Sequence, residues 1–313
     1  MSNLRIITIS EGAAGMRSQI EGLANLIGSQ YNNFNVDIKP FFKNLPVQLI
    51  PARDFTYTNL KEIKIKEKTI LISCGKKSVK ASIFLKKKYK NLLFNIHIQD
   101  PKTQHNLFDL IICPEHDNLN KSNSISTLLA LHNINFNKLP KLEDTINFII
   151  GGSNKYFGFN EETQKKILNE ITYLSKNYKI NVIPSRRTPL GLLKKLERIK
   201  SDSIIPFGNL FNPKGYGDLL SEAKFHIVTW DSISMISEAI SSESSTFVYD
   251  FENRDCPTRY QNFYKSIIDK NLAKFYSRKL TTFNVSLNTY NKELKTKILN
   301  KIESHLWFKI DAS

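Results

Sequence analysis

Three polar clusters carry the side chains best suited to chemistry: Gly151-Gly152-Ser153-Asn154, Ser185-Arg186-Arg187-Thr188 running into Pro189, and Asp231-Ser232-Ile233-Ser234 running on to Glu238. Glycine lacks a Cβ, so the first cluster lets a backbone come close to a ligand. The two arginines offer forked donors to phosphate oxygens, beside a helix start whose amides and dipole favour an anion. Ser232 and Ser234 can reach phosphate from a second helix start. Glu238 follows Ser234 by one helical turn and can accept hydrogen bonds from both hydroxyls of a ribose. That set suits a nucleotide diphosphate sugar.

Each cluster also has a plainer reading. The glycines can form a tight turn alone, the arginines can pair with carboxylates such as Glu197, and Asp231 or Ser232 can be an N-cap with Glu238 solvated. The glycine loop is not a Walker loop, because no Gly-Lys-Ser/Thr follows, and it lacks the full Gly-x-Gly-x-x-Gly pattern.

The first half supplies a second group: Glu11 to Gly15 with Gln19, Gln99-Asp100-Pro101, and Pro114-Glu115-His116-Asp117. A hydroxyl acceptor loses its proton during glycosyl transfer, so Glu11, His116 and Asp117 are candidate bases. Gly15, Gln19, Gln99 and Asp100 are candidates for the acceptor side. Adjacent residues such as Glu115, His116 and Asp117 point in different directions and do not read as a metal site. No metal and no cofactor beyond a nucleotide sugar is expected.

Positioning these residues requires strands that end at them. Apolar runs predict strands over Leu4–Ile9, Val36–Ile38, Thr69–Ser73, Leu92–Ile98, Leu110–Ile112, Ile146–Ile150, Ile180–Ile183, Ser203–Phe207, Phe225–Val228 and Thr246–Tyr249. Helical spacing falls between them, with Ile20, Leu23, Ala24 and Ile27 before Gly28, and with Ile167, Ile171 and Leu174 after Asn160, a candidate cap. Alternating strands and helices argue for doubly wound parallel sheets, whose ligands bind at the carboxyl edge. Periodicity fades between Ile134 and Asp144, so two Rossmann-like domains are expected, 1–143 and 144–313, with a ligand cleft between them. Leu294, Ile298 and Ile302 predict a last helix that crosses back to the first domain.

The bulk numbers narrow the class further. A chain of 313 residues with three cysteines and no Cys-x-x-Cys pair fits neither a disulfide framework nor a zinc ribbon. The start, Met1 to Ile9, lacks the apolar core of a signal peptide, and no apolar run is long enough to cross a bilayer. A cytosolic protein, peripheral to the inner face of a membrane, is expected. The net charge of +16 calls for an anionic partner. An anionic membrane surface fits better than nucleic acid, since Lys86-Lys87-Lys88-Tyr89-Lys90 ends an amphipathic segment and no nucleic-acid motif is present. A solvated helix end is nevertheless the plainer and preferred reading of that run.

Taken in order, Ile98-Gln99-Asp100-Pro101, Phe108-Asp109-Leu110, Pro114-Glu115-His116-Asp117, Gly151-Gly152-Ser153, Ser185-Arg186-Arg187-Thr188-Pro189, Asn212-Pro213 and Asp231 to Ala239 resemble the mitochondrial fission factor family of plants and proteobacteria. That family is similar in fold to two-domain GT-B glycosyltransferases. The resemblance implies that the C-terminal domain holds the nucleotide and the N-terminal domain the acceptor. Departures are Lys102, Trp230, Glu11, and Glu243-Ser244-Ser245-Thr246 where the family has Gly-Lys-Pro. The resemblance implies that Trp230 crowds the donor pocket. The expected activity is metal-independent transfer from a nucleotide diphosphate sugar to a cell-envelope or lipid-linked acceptor. The rival is a non-catalytic binding or recruiting protein of the same fold. A dinucleotide-dependent epimerase is disfavoured, because neither its N-terminal fingerprint nor a Tyr-x-x-x-Lys pair is evident.

Overall fold

The computed structural model describes residues 5–28, 30–199, 203–206, 213–251 and 256–304. Its β-branched runs form two six-stranded sheets, all parallel, each belonging to its own compact unit. In the first unit the elements are β1 (Arg5–Ser10), α1 (Ala14–Ile27), β2 (Tyr31–Asn35), α2 (Pro40–Lys43), β3 (Thr69–Cys74), α3 (Ser78–Tyr89), β4 (Leu93–Ile98), β5 (Leu110–Pro114) and β6 (Ser124–Thr127). Their sheet order is β2-β1-β3-β4-β5-β6.

The second unit contains β7 (Leu142–Ile150), α4 (Glu161–Leu174), β8 (Lys179–Pro184), α5 (Leu190–Glu197), β9 (Ile204–Pro206), α6 (Pro213–Glu222), β10 (Ala223–Thr229), α7 (Ile233–Ser241), β11 (Ser245–Tyr249), α8 (Thr258–Asp269) and β12 (Lys274–Phe275). The order β12-β11-β10-β7-β8-β9 grows outward from the β7/β10 pair in both directions. A parallel sheet of this order opens a crevice where the direction reverses, beyond the carboxyl ends of the central strands. The corresponding reversal in the first unit lies between β1 and β3.

Helices on both faces explain why the central strands are nearly continuous in apolar residues: Ile146, Phe148, Ile149 and Ile150 of β7 are all fully buried. Asn160 caps α4 by accepting the Thr163 N–H at 2.9 Å, and Ile167, Ile171 and Leu174 form its buried stripe. α1 ends at Gly28, whose φ of 88° lets its N–H close on the Ala24 carbonyl. The final helix, α9 (Asn288–Ser304), packs Leu294, Ile298 and Ile302 into one core with Ile20, Leu23, Ala24 and Ile27. Burying each of these leucines and isoleucines stabilises by about 1.5–3 kcal/mol.

The units divide at Asn133/Ile134 and again at Leu287/Asn288, so α9 is counted with the first unit. The strand expected over Val36–Ile38 forms instead at Tyr31–Asn35. Val36 and Ile38 are apolar because they drop into the core beside Ile7 and Tyr57, while the edge strand itself exposes Asn32, Asn33 and Asn35. Strands β6 and β12 were not anticipated from the sequence. Phe207 and Asn212 lie outside the described residues. Among the described residues no helix is long and apolar enough to cross a membrane.

Candidate functional site

Strands β8, β7 and β10 are neighbours, so the loops that begin at Ser185, Gly151 and Trp230 leave one sheet edge side by side. Asp231 organises them. The residue is 1% exposed, and its Oδ2 accepts from the Gly152 N–H at 2.9 Å and from Arg187 Nη2 at 3.2 Å. Its Oδ1 accepts from the Thr229 hydroxyl at 2.7 Å, whose oxygen accepts in turn from the Gly151 N–H at 2.8 Å. Burial pushes the Asp231 carboxyl above its usual range, opposed by the Gly152, Thr229 and Arg187 donors.

A Cβ on Gly151 would overlap the Asp231 carboxylate, and one on Gly152 would overlap the Arg187 carbonyl group. The space that these glycines leave open is therefore taken by the protein itself. Ser153 accepts the Phe159 N–H at 3.1 Å. Asn154 accepts the N–H groups of Tyr156 and Phe157 and donates to the Asp231 carbonyl at 3.1 Å. Both side chains shape the loop.

The arginine pair splits. Arg187 donates to the Gly152 carbonyl at 2.7 Å as well as to Asp231, so it is largely occupied with the fold. Arg186 is exposed and has no hydrogen-bond or ion-pair partner among the described residues. Their loop is closed by Thr188, which is 6% exposed. Its N–H donates to the Ser185 carbonyl, and its Oγ1 accepts the Ser185 N–H and reaches the carbonyls of Ile150 and Gly151. Pro189 stands just outside α5, one position earlier than the sequence suggested, and α5 has no side-chain cap.

Ser232 caps α7 by accepting the Met235 N–H at 3.5 Å, and Ser234 is half-buried in the first turn. Glu238, one turn on, is also half-buried and accepts the Tyr216 hydroxyl at 3.1 Å. Burial raises its carboxyl to about 7, against the lowering effect of that hydrogen bond. Trp230 does not crowd the edge as expected. It is 3% exposed and packs inward on Phe157 and Tyr264, at ring-centroid distances of 4.9 and 6.2 Å. Glu243 takes a φ of 58° where the resembled family carries glycine, and its carboxylate accepts the Leu287 N–H at 2.8 Å.

In the first unit Glu11 follows β1. Its Oε1 accepts the Lys77 N–H at 2.8 Å, and its Oε2 lies 3.2 Å from Lys77 Nζ, across the β1/β3 reversal. Gly15 is exposed on the first turn of α1, with open space around it. Gln19 accepts from the Gln99 side-chain amide at 3.2 Å. Asp100 is pushed up by burial but held down at about 2 by hydrogen bonds from the Lys102 side chain and backbone and from His105.

Gln99 and Asp100 line a cavity of about 330 Å³ with Gln48, Lys76, His97 and Lys102. His97 shares a 2.8 Å hydrogen bond with Ser73, and burial pushes it down to about 3, so it is neutral there. His116 is 5% exposed on the turn after β5, with Asp117 Oδ1 4.0 Å from its Nε2. β5 is three strands from β1, or ~14 Å at the usual spacing. Glu11 and the His116–Asp117 pair therefore do not form one catalytic group. Among the described residues no group of three His, Cys, Asp or Glu side chains could hold a metal ion.

Thr229, Tyr216 and His97 were not among the candidates read from the sequence. Thr229 carried a signal, as a hydroxyl ending an apolar strand two positions before Asp231. Tyr216 carried none.

Residues 14–299 match the profile of the family described as "Mitochondrial fission ELM1". A protein of Arabidopsis thaliana, "Mitochondrial fission protein ELM1", is 21% identical over 248 residues, which is 66% of this chain and 57% of that protein. The uncharacterized protein RP120 of Rickettsia prowazekii is 26% identical over 260 residues, covering 68% of this chain and 73% of that one. Among solved structures, the glycosyltransferase SnogD from Streptomyces nogalater has a TM-score of 0.53 at 9% identity, covering 96% of this chain and 95% of its own. The Methanocaldococcus jannaschii UDP-GlcNAc 2-epimerase, in complex with UDP-GlcNAc and UDP, has a TM-score of 0.50 at 14% identity, covering 95% and 99%. At such identities the likeness is one of fold, shared by a transferase and an epimerase alike. The chain belongs to the mitochondrial fission ELM1 family and carries its two-domain, GT-B-like α/β fold.

Proposed function

We propose that the protein binds a nucleotide diphosphate sugar at the strand edge of the second unit and transfers the sugar to a hydroxyl acceptor held by the first. The observation that carries this reading is Arg186, an exposed guanidinium with no partner among the described residues, beside the uncapped start of α5. It receives the diphosphate, with the helix amides, and Glu238 takes the ribose hydroxyls. In transfer, the bond from the anomeric carbon to the phosphate oxygen breaks and a bond to the acceptor oxygen forms. The acceptor proton passes to a carboxylate or imidazole of the first unit, with Glu11, His116 and Asp117 as candidates. Arg186 then stabilises the charge that develops on the leaving diphosphate. The acceptor class, a cell-envelope or lipid-linked hydroxyl at the cytosolic membrane face, rests on the family resemblance.

Calorimetric titration with UDP, GDP, ADP and CDP tests this. One of them should bind, and Arg186→Ala should weaken it about tenfold or more, the loss typical of a charged hydrogen bond. Lack of binding by any of these nucleotides refutes the proposal. A non-catalytic binding or recruiting protein of the same fold is the second reading, favoured by the engagement of Glu11 with Lys77 and of Arg187 with Asp231. Binding without release of free nucleotide in the presence of acceptors would support it, whereas an epimeric nucleotide sugar as product would mark an epimerase.

A further inference from the structure

Lys80 stands in the first turn of α3, where the positive end of the helix opposes a cation, and it is 5% exposed. An ammonium removed from water needs an anion to offset its lost hydration. Its hydrogen bond goes instead to the neutral Gln104 Oε1 at 2.8 Å, and it has no carboxylate partner among the described residues. Burial and the charge of Lys87 pull its pKa below the ordinary lysine value.

The same residue lines a cavity of about 490 Å³ with Arg53, Phe84, Lys87 and Lys88. Positions 80, 84, 87 and 88 share one face of α3, and Arg53 reaches the cavity from a different loop. Lys86, on the same helix, is neutralised by Asp109 at 2.7 Å. Arg53 and Lys87 have no carboxylate partner among the described residues, and Lys88 lies over the Tyr89 ring. Favourable interaction with the helix end accounts for Lys87 and Lys88, which stand in or next to the last turn. It accounts for neither Lys80 nor Arg53.

We infer that this cavity binds a phosphate group, held by the Lys80 ammonium and the Arg53 guanidinium, with Lys87 and Lys88 at its rim and Phe84 against the group that carries it. Arg supplies paired donors and Lys a point charge, a combination that suits phosphate oxygens. The volume admits a phosphorylated small molecule or a lipid headgroup. This site is independent of the donor site proposed above.

Inorganic pyrophosphate is titrated by calorimetry into the Arg186→Ala protein, which weakens the proposed donor site, and three substitutions at the α3 cavity report on that cavity alone. Saturable binding is expected. Lys80→Gln, and separately Arg53→Gln and Lys87→Gln, should each lower affinity about tenfold or more, while the exposed Lys165→Gln should not. Arg53 and Lys87 are exposed, so their variants report even where Lys80→Gln fails to fold. Co-sedimentation with phosphatidylcholine vesicles with and without phosphatidic acid distinguishes the sources. Lys80-dependent capture by phosphatidic acid assigns a lipid headgroup, and pyrophosphate binding without such capture assigns a soluble phosphate. Absence of pyrophosphate binding, or binding that all three substitutions leave unchanged, overturns the inference.

Discussion

Replacing Asp231 separates a structural role at the sheet edge from a role in holding ligand. In Asp231→Ala the Gly152 N–H loses its acceptor within a buried loop, at a cost of about 1–3 kcal/mol. The vacated carboxylate adds a void worth about 1 kcal/mol. Arg187 is partly exposed and regains water, so its lost ion pair adds little. A total of about 2–4 kcal/mol corresponds to a melting point about 4–16 °C lower for a domain of ~150 residues. Asp231→Asn keeps the volume and one acceptor, so its cost should stay near 1 kcal/mol. Because burial raises the Asp231 pKa, the native state keeps this proton to higher pH than the unfolded chain. Its contribution to stability is therefore full below pH ~4 and is lost as pH rises through the native pKa, and Asp231→Asn should remove that slope. The assay is thermal and urea unfolding without nucleotide, at several pH values. An Asp231→Ala protein within about 0.5 kcal/mol of wild type would refute the structural role.

Further outcomes follow from other groups. The Glu238 carboxyl titrates near 7, so binding of a ligand whose hydroxyls donate to its carboxylate should tighten between about pH 6 and 8. Glu238→Gln should flatten that profile, and a flat wild-type profile by calorimetry would count against a ribose at Glu238. The same raised pKa means that this group's contribution to stability is present at acid pH and lost as pH rises through about 7. Asn160→Ala removes the α4 cap and should cost about 1 kcal/mol in urea unfolding without altering nucleotide or phosphate binding.

The central strands were legible because each is an apolar run buried on both faces, as in Ile146 to Ile150. The edge strand Tyr31–Asn35 was not, since a strand with a single neighbour shows asparagine to solvent and carries little hydrophobic signal. The three polar clusters of the second unit were legible as turns after strands, and the fold does set them at one edge. What fills the glycine gap was not legible, because Asp231 stands 79 residues from Gly152 and only the closed sheet brings them together. Nor does sequence distinguish Arg186 from Arg187, whose adjacent side chains meet solvent and Asp231 respectively. The stripe Leu294, Ile298 and Ile302 announced a helix, but not that α1 would be its partner.

That partnership sets an order for assembly during synthesis. Residues 134–287 are all synthesised before α9, whereas the earlier unit, although begun first, lacks the helix that covers Ile20, Leu23 and Ala24 until the end of synthesis. A stalled or shortened product ending near Leu287 would thus display a finished second half and an open apolar face on the first, and chaperones or proteases would meet that face first.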